Sequence, residues 1–248
     1  MVTVEPIPNE RAAIVETGSQ RVLAIADYHA GIETVLRSEG VELDSRAPKR
    51  RERLLELLAQ TAPDRLVVLG DLVHTIGEPW EEERAELTRL FDALAVPVTL
   101  VKGNHDGVIE EFLGSIDHDI TVTGSDGIRL GDVGFAHGHT WPSRAVLEAS
   151  ILCIGHEHPV VRLEDEVGGS RVEEVWLRGN LDSGAFEDLD ADKVECELVV
   201  FPAFNELSGG TWINVAGQEF LVPFLPEGLV DGEAYLLDGT RLGSYRTL

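Results

Sequence analysis

Five short apolar runs in this chain each end in side chains that can bind a metal ion. With the residues that follow them, they read IADYH, LGDLVH, KGNHD, AHGH and IGHEH. Seven of the 8 histidines lie in these stretches, and His118 is the exception. Imidazole nitrogens and carboxylate oxygens hold divalent transition metals in proteins. The pattern therefore predicts a metal centre built at the ends of strand-like segments, rather than histidines scattered through a core.

The same runs predict the fold class. They belong to five segments rich in β-branched residues, which span positions 21–27, 64–71, 96–104, 132–139 and 150–158. Such runs are typical of central strands that are buried on both faces. Two segments between the first three, 50–60 and 79–95, carry apolar residues at helical spacing. Alternating strands and helices predict an α/β fold whose sites lie at the carboxyl ends of its strands.

The second part of the chain has a different pattern. From about residue 160, short strand-like pieces alternate with polar loops, and the pieces are RVEEVWLRG, VECELVVF, EFLVPF and EAYLLDG. They predict a mainly antiparallel second sheet, and the polar stretch GNLDSGAFEDLDADK predicts an exposed loop. Because no repeat or clear linker is present, we expect one domain over residues 1–248, with a motif half at 22–158 and a second-sheet half at 159–248.

The charge is unusually one-sided, since 45 Asp and Glu against 20 Lys and Arg give a formal net charge of −25 at pH 7. Self-repulsion at such a charge destabilises a folded chain. Salt relieves it because the Debye length falls to about 3 Å at 1 M. We therefore expect a salt-adapted, halophilic protein. The basic cluster RAPKRRER (46–53) has two interpretations: a nucleic-acid contact, or a solvated helix face paired with Glu52 and Glu56.

Membrane and secretory signals are missing from the sequence. No stretch of about 20 apolar residues is present, so we expect no membrane-spanning helix. The N-terminus lacks the basic and apolar segments of a secretory signal. The cysteines Cys153 and Cys196 form no disulfide framework. These observations predict a cytoplasmic protein without a membrane partner.

The spacing of the candidate ligands suits a pair of ions. Asp27 and His29 are two residues apart, so their side chains would share one face of an extended strand. His156 and His158 repeat this spacing, and the two oxygens of Asp71 could bridge two ions. Two divalent ions about 3.5–4 Å apart lower the pKa of a shared water and clamp a phosphoryl group during in-line displacement.

The ordered motifs Asp-x-His, Gly-Asp, Gly-Asn-His-Asp, His and Gly-His-x-His, within residues 22–158, resemble those of the calcineurin-like metallophosphoesterase superfamily. GDLVH (70–74), and FPAFNELSGG followed by Asn214, are similar to small archaeal phosphoesterases related to SbcD-type DNA-repair nucleases. The ligase-associated DNA-damage-response endonucleases of bacteria form a nearby branch. This resemblance implies a four-layer α/β/β/α sandwich of two mixed sheets flanked by helices.

The resemblance also implies roles for individual residues. The first ion would be held by Asp27, His29 and His158, and the second by Asn104, His137 and His156, with Asp71 as the bridge. His105 would protonate the leaving alkoxide or stabilise charge in the transition state, and Asp106 would orient the His105 ring. The ions would be manganese, with iron or zinc as alternatives.

Two further histidines have open assignments. In AHGH either His137 or His139 could be the ligand, and the resemblance favours His137. His139 would then meet the substrate or a backbone carbonyl. His74 either faces the phosphate site or is a plain surface histidine.

Three functions follow as expectations. The first is a metal-dependent phosphodiesterase that uses a metal-activated water, in the form of a nuclease acting on DNA ends or damaged strands. The second is a phosphatase or phosphodiesterase for monoesters or small nucleotides. The third is a metal-binding scaffold without turnover, which the filled motif positions disfavour. Dimers occur among relatives, so a homodimer is also open, although nothing in the sequence identifies an interface.

Overall fold

The computed structural model describes residues 1–165, 168–189 and 194–248. Two β-sheets pack face to face, with helices on their outer sides. The strands of the first sheet, in spatial order, are β1 (Thr3–Pro6), β2 (Ala12–Glu16), β3 (Arg21–Ile25), β4 (Arg65–Val68), β5 (Val98–Val101) and β6 (Ile120–Thr123). β1 to β3 are antiparallel, whereas β3 to β6 are parallel. The carboxyl ends of β3, β4 and β5 therefore meet at one edge.

The second sheet is mixed. Its strands are β7 (Ile128–Leu130), β8 (Val133–Ala136), β9 (Ile151–Ile154), β10 (Pro159–Glu164), β11 (Ser170–Asn180), β12 (Glu197–Val200), β13 (Thr211–Trp212), β14 (Glu233–Leu236) and β15 (Arg241–Ser244). β9 runs parallel to both β8 and β12, and β11 is antiparallel to β10, β12 and β14. The carboxyl ends of β8 and β9 consequently lie side by side.

The helices of the described residues range from 4 to 15 residues in length. They are α1 (Ile32–Ser38), α2 (Ala47–Thr61), α3 (Glu81–Phe91), α4 (Ile109–Leu113) and α5 (Arg144–Leu147), with 3₁₀ turns at Ser183–Leu189 and Tyr245–Thr247. In this part of the chain, none has the length and apolarity needed to cross a membrane.

Alternating side chains divide the core into three layers. Leu23 of β3 packs with Leu54 of α2 on the outer side of the first sheet, whereas Val22 faces the second sheet. In β9, Cys153 lies between the sheets and Leu152 lies on the outer side. Three layers of core side chains, two on the outer sides of the sheets and one between them, require four layers of secondary structure. The predicted α/β/β/α sandwich of two mixed sheets is confirmed.

The division between the sheets differs from the prediction. The second sheet was expected to begin at residue 159, but it begins at Ile128, so β8 and β9 belong to it. The reason is a change in the way that consecutive strands are connected. The parallel crossovers of the first sheet end with β6, and β7 pairs with β8 as an antiparallel hairpin instead of joining β6, which starts a new sheet.

Two local predictions also differ from the structure. EFLVPF is not a strand, because the N–H groups of Leu221 and Val222 each donate to the Glu157 carboxylate at 3.0 Å and are unavailable for strand pairing. The predicted exposed loop contains the 3₁₀ turn at Ser183–Leu189, and Phe186 within it is fully buried. The end of that stretch, 190–193, lies outside the described residues.

The basic cluster (46–53) contains a buried ion triad. The guanidinium of Arg50 lies 3.2 Å from Glu33 and 2.6 Å from Glu86, and all three side chains are almost fully buried. Its partners are therefore not the predicted Glu52 and Glu56. A buried arginine that joins two carboxylates is part of the fold and is not available for nucleic acid.

Replacement of Arg50 by alanine is expected to lower the free energy of unfolding by about 3–5 kcal/mol, because it leaves two buried carboxylates without a counter-charge. Urea denaturation measures this loss. Lys49→Ala is the control, since Lys49 is exposed on the same helix and its loss should change stability by less than about 0.5 kcal/mol. Equal stability of the two variants would contradict the triad's role.

Candidate metal centre

The candidate ligands lie in loops that follow five parallel strands. These loops carry Asp27 and His29 after β3, Asp71 after β4, Asn104 after β5, His137 after β8, and His156 and His158 after β9. Because the sheets pack face to face, the two sets of loops meet. Nε2 of His158 lies 3.1 Å from Oδ1 of Asp27, and Nε2 of His137 lies 3.5 Å from Oδ1 of Asp71.

The backbone is strained at five of these seven positions. Among the described residues, seven that are not glycine have a positive φ angle, and five of these are Asp27, His29, Asp71, His156 and His158. This left-handed region is costly for residues with a Cβ and is often retained at functional sites. The extended geometry assumed for the Asp27 and His29 pair is therefore wrong. The chain instead curls at the strand end, which turns both side chains toward the same space.

The donor atoms form three groups, two of which share His29. They are Asp27, His29 and His158; Asp71, His137 and His156; and His29, His74 and His105, with the donor atoms of each group within 4.8 Å of one another. Asp71 stands between the first two groups, since Oδ2 is 3.9 Å from Nε2 of His29 while Oδ1 faces His137. Oδ1 of Asn104 lies 3.1 Å from Nε2 of His137. The fold thus brings all seven predicted ligands together.

Backbone carbonyls orient two of the imidazoles. Nδ1 of His137 lies 2.7 Å from the Leu69 carbonyl oxygen, and Nδ1 of His158 lies 2.8 Å from that of Gly209. A carbonyl only accepts hydrogen bonds, so each Nδ1 carries the hydrogen. Nε2 of each ring is then the atom directed at the carboxylates, as in metal sites where the second ring nitrogen fixes the ligand.

Two buried carboxylates are paired with histidines. Burial alone would raise the pKa of Asp27, but His158 and His137 outweigh it and hold the pKa below its usual range. The same holds for Asp71, whose pKa His137 and His29 keep low against the effect of burial. Two adjacent buried negative charges whose close partners are imidazoles form a donor set that suits a divalent cation.

The ligand histidines differ in their pKa values and therefore in their protonation at pH 7. Burial lowers the pKa of His29 to about 3, and that of His156 to about 4, so both rings are neutral at pH 7 and can bind a metal. Burial also acts on His137, but the hydrogen bond and charge of Asp71 raise its pKa to about 9. A metal ion would compete with this proton for the same lone pair.

Asp106 holds two loops rather than a histidine ring. Its carboxylate accepts hydrogen bonds from the N–H groups of Leu72 and Gly103, both at 2.9 Å, and burial raises its pKa to about 6. The predicted contact with the His105 ring is therefore wrong. Nδ1 of His105 instead bonds to the carbonyl of His74, because Asp106 is buried beneath the loops that carry Asp71 and His105.

His74 and His139 both border the centre. Nδ1 of His74 lies 3.3 Å from Nδ1 of His29, which places it in the third donor group and not on a plain surface. The His139 ring centroid lies 5.2 Å from that of His137 and 5.9 Å from that of His156. Nδ1 of His139 is buried without a hydrogen-bond partner, so its hydrogen-bonding capacity is not used within the protein.

Three buried residues that shape the site were not singled out from the sequence. Nδ2 of Asn205 donates to the backbone carbonyls of Tyr28 and His29 at 3.0 and 3.1 Å. Oε1 of Glu83 accepts the N–H of His74 at 3.1 Å. Asn205 lies within FPAFNELSGG, so the motif was visible, but its contact across the sheets was not.

The third such residue, Glu157, lies between two ligands. Its carboxylate accepts the N–H groups of Leu221 and Val222, and burial raises its pKa. An acidic residue between two ligand histidines could be taken for a further ligand. In the structure it points away and anchors a neighbouring loop.

Glycine is required where the ligand loops approach each other. A Cβ on Gly70 would lie 2.3 Å from Nδ1 of His137, and one on Gly103 would lie 2.1 Å from Oδ1 of Asp71. Both separations are far below van der Waals contact. Gly70 therefore makes room for a ligand from the second sheet, and Gly103 makes room for a ligand from the neighbouring loop of its own sheet.

The fold and the donor set define an α/β protein with a candidate metal centre at the meeting edges of two sheets. Residues 20–159 match the family described as calcineurin-like phosphoesterase, and the chain belongs to that family. It is thus a phosphoester hydrolase by family, and divalent metals are typical of its members. No curated protein matches the chain in sequence.

The chain is similar to several solved structures, two of which are given as examples. The Pseudomonas putida nuclease MPE superposes with a TM-score of 0.54 at 21% identity, over 97% of this chain and 100% of that chain. Yfce, a phosphoesterase from E. coli, gives a TM-score of 0.41 at 18% identity, over 90% of this chain and 96% of that chain. At these identities, the similarity to the nuclease shows a shared fold.

Addition of Mn²⁺ to metal-free protein is expected to raise Tm by roughly 5–10 °C when the ion is at 100 times its Kd. The reason is that the ion binds the folded state alone and relieves the repulsion between Asp27 and Asp71. Differential scanning calorimetry with and without a chelator measures the shift. An unchanged Tm in the presence of excess Mn²⁺ would contradict a built metal centre.

Proposed function

We propose that the protein hydrolyses phosphodiester bonds with two divalent ions, with manganese as the first candidate. Asp27, His29 and His158 would hold one ion, and Asn104, His137 and His156 the other, with Asp71 between them. The observation that carries the proposal is the position of Asp71, whose oxygens face a different donor group on each side. Ions bound there would supply an activated water and neutralise charge on the phosphoryl oxygens.

His105 is the proposed general acid. Nδ1 bonds to the His74 carbonyl, which turns Nε2 toward the centre, 3.7 Å from Oδ2 of Asp71. A side chain at this position can donate its proton to the departing alkoxide, which removes the charge that builds up as the bond to phosphorus breaks. The role proposed for Asp106 is to position the loops that carry Asp71 and His105. His74 and His139 are proposed substrate contacts.

Nuclease activity is the more specific part of the proposal. It is supported by the resemblance of GDLVH and FPAFNELSGG to the archaeal branch related to DNA-repair nucleases, and by the fold shared with a nuclease. The net charge of −25 argues for the alternative, a small nucleotide or a monoester, because a long polyanion is repelled.

A substrate panel tests the function. Bis-p-nitrophenyl phosphate, p-nitrophenyl phosphate, and single- and double-stranded DNA are incubated with the Mn²⁺-loaded protein in high KCl. Turnover of the diester and of DNA is the expected result. Preference for the monoester without DNA cleavage would reject the nuclease, and no turnover despite bound metal would favour a scaffold.

We also propose that the chain forms a single domain and that the protein is cytoplasmic. We further propose that it is adapted to high salt concentration. At a net charge of −25, Tm is expected to rise between low and molar KCl, because screening removes self-repulsion. Melting curves against KCl measure the effect, and NaCl at equal ionic strength is the control. Greater stability at low salt would contradict salt adaptation.

A further inference from the structure

Trp141 is an exposed aromatic residue held on a rigid base. It remains 41% exposed although its ring centroid lies 5.7 Å from that of Phe186 and 5.8 Å from that of Phe224. Both phenylalanines are buried, and their centroids are 5.3 Å apart. Tryptophan is mostly buried in folded proteins. A fixed ring that keeps this much surface in water is therefore suited to bind an apolar or aromatic group.

The loop that carries Trp141 is tied to the metal centre. His139, whose ring packs beside His137, lies two residues before Trp141, a span of at most about 7 Å. The hydroxyl of Thr140 donates to the Ser125 carbonyl at 3.1 Å. Trp141 is consequently held within the reach of one nucleotide from the proposed ligands.

A groove joins the same elements. It has a volume of about 580 Å³ and is lined by residues that include Asn104, His139 and Ser125. Asn104 is a proposed ligand, and Ser125 is bonded to the Trp141 loop. Trp141 does not line this groove itself, but Ser125, which does, is bonded to the residue that precedes Trp141.

Two cations, Lys102 of the groove and Arg144 three residues after Trp141, are already engaged. Nζ of Lys102 donates to Glu110 at 2.6 Å and to the Gly107 carbonyl at 2.8 Å, and Arg144 bonds to Glu148 at 2.7 Å. Both side chains are already bonded to carboxylates, and the net charge of −25 repels a polyanion, so electrostatic attraction of a nucleotide to this region is weak. Stacking on an aromatic ring requires no charge and is insensitive to the screening that concentrated salt imposes.

We propose that Trp141 stacks on a base next to the cleaved phosphate and thereby selects unpaired nucleotides over duplex. The proposal rests on the phosphodiesterase function proposed above. Every base has a π-face, so the subsite accepts any base. A base inside a duplex is already stacked and paired, and it must leave the duplex before it can reach the ring.

The test compares a short oligothymidylate with the same strand carrying abasic sites. Trp141→Leu keeps an apolar contact for Phe186 and Phe224 but loses stacking, whereas Trp141→Phe retains a ring. Trp141→Leu is expected to lower kcat/KM for the oligothymidylate by roughly 5- to 150-fold, and to leave kcat/KM for the abasic strand unchanged. Trp141→Phe is expected to restore most of the loss. Trp80→Leu is the control, because Trp80 is also 41% exposed, and it should have little effect.

A binding readout separates stacking from turnover. In Mn²⁺-loaded His105→Ala protein, the oligothymidylate is expected to quench tryptophan fluorescence, and Trp141→Leu should abolish that quenching. An equal loss on both strands, or an equal loss from Trp80→Leu, overturns the base subsite. So does turnover of bis-p-nitrophenyl phosphate without cleavage of the oligothymidylate. If the loaded wild-type protein hydrolyses none of these diesters, the proposed function itself fails.

Discussion

Asp71→Asn is expected to lower kcat/KM for a phosphodiester by about 1,000-fold or more, because the bridging charge is lost and transition-state stabilisation of several kcal/mol depends on the ions. Asparagine keeps an oxygen for the N–H of His105, which now donates to Oδ1 of Asp71 at 3.0 Å. The fold should therefore persist. Metal stoichiometry by elemental analysis and steady-state kinetics measure the two effects together.

The control for this variant is a change elsewhere in the same layer. Thr99→Ser, between the sheets but away from the ligand loops, should bind metal and turn over substrate as the wild type does. Full metal occupancy combined with undiminished turnover in Asp71→Asn would contradict the assignment of Asp71 as the bridge.

His105→Ala is expected to keep both ions and to lose roughly 10²- to 10⁴-fold in kcat, as removal of a general acid does. Its ring is held by the His74 carbonyl and is not one of the proposed ligands, so its loss should spare the two donor groups that are proposed to hold the ions. The effect should be greatest for poor leaving groups, which depend most on protonation. Kinetics with a series of aryl phosphodiesters of different leaving-group pKa measures this trend.

His118→Ala provides the matched control. His118 lies outside the five motifs, and its Nε2 is 2.8 Å from the Val96 carbonyl, so turnover should stay close to that of the wild type. A loss in His105→Ala that is the same for good and poor leaving groups would reject the acid role, even if turnover falls.

Much of the fold could be predicted because its strands are apolar on both faces. Continuous runs such as the one around Val67 bury side chains toward both the helices and the second sheet, and this requirement is visible in the sequence. Helix α2 was similarly expected from its leucine spacing, and it extends only a few residues beyond the predicted 50–60. A local hydrophobic pattern therefore predicts a strand or a helix where burial of that segment's own apolar side chains determines its structure.

Other features could not be predicted, since they depend on distant contacts. EFLVPF has the composition of a strand, but Glu157 captures two of its amides. The boundary between the sheets depends on whether β8 pairs with β7 or with β6, and both are compatible with the sequence pattern. Likewise, the oxygens of Asp106 bond to backbone groups that lie up to 34 positions away.

By itself, the sequence determined the residue types that can hold metal and their order along the chain, because each follows an apolar run that must be buried. Only the tertiary structure decided which donors face one another. The contact between Asp27 and His158 joins residues from two sheets, and no local periodicity encodes that packing. The exposure of Trp141 was decided in the same way, since it depends on where Phe186 and Phe224 support the ring.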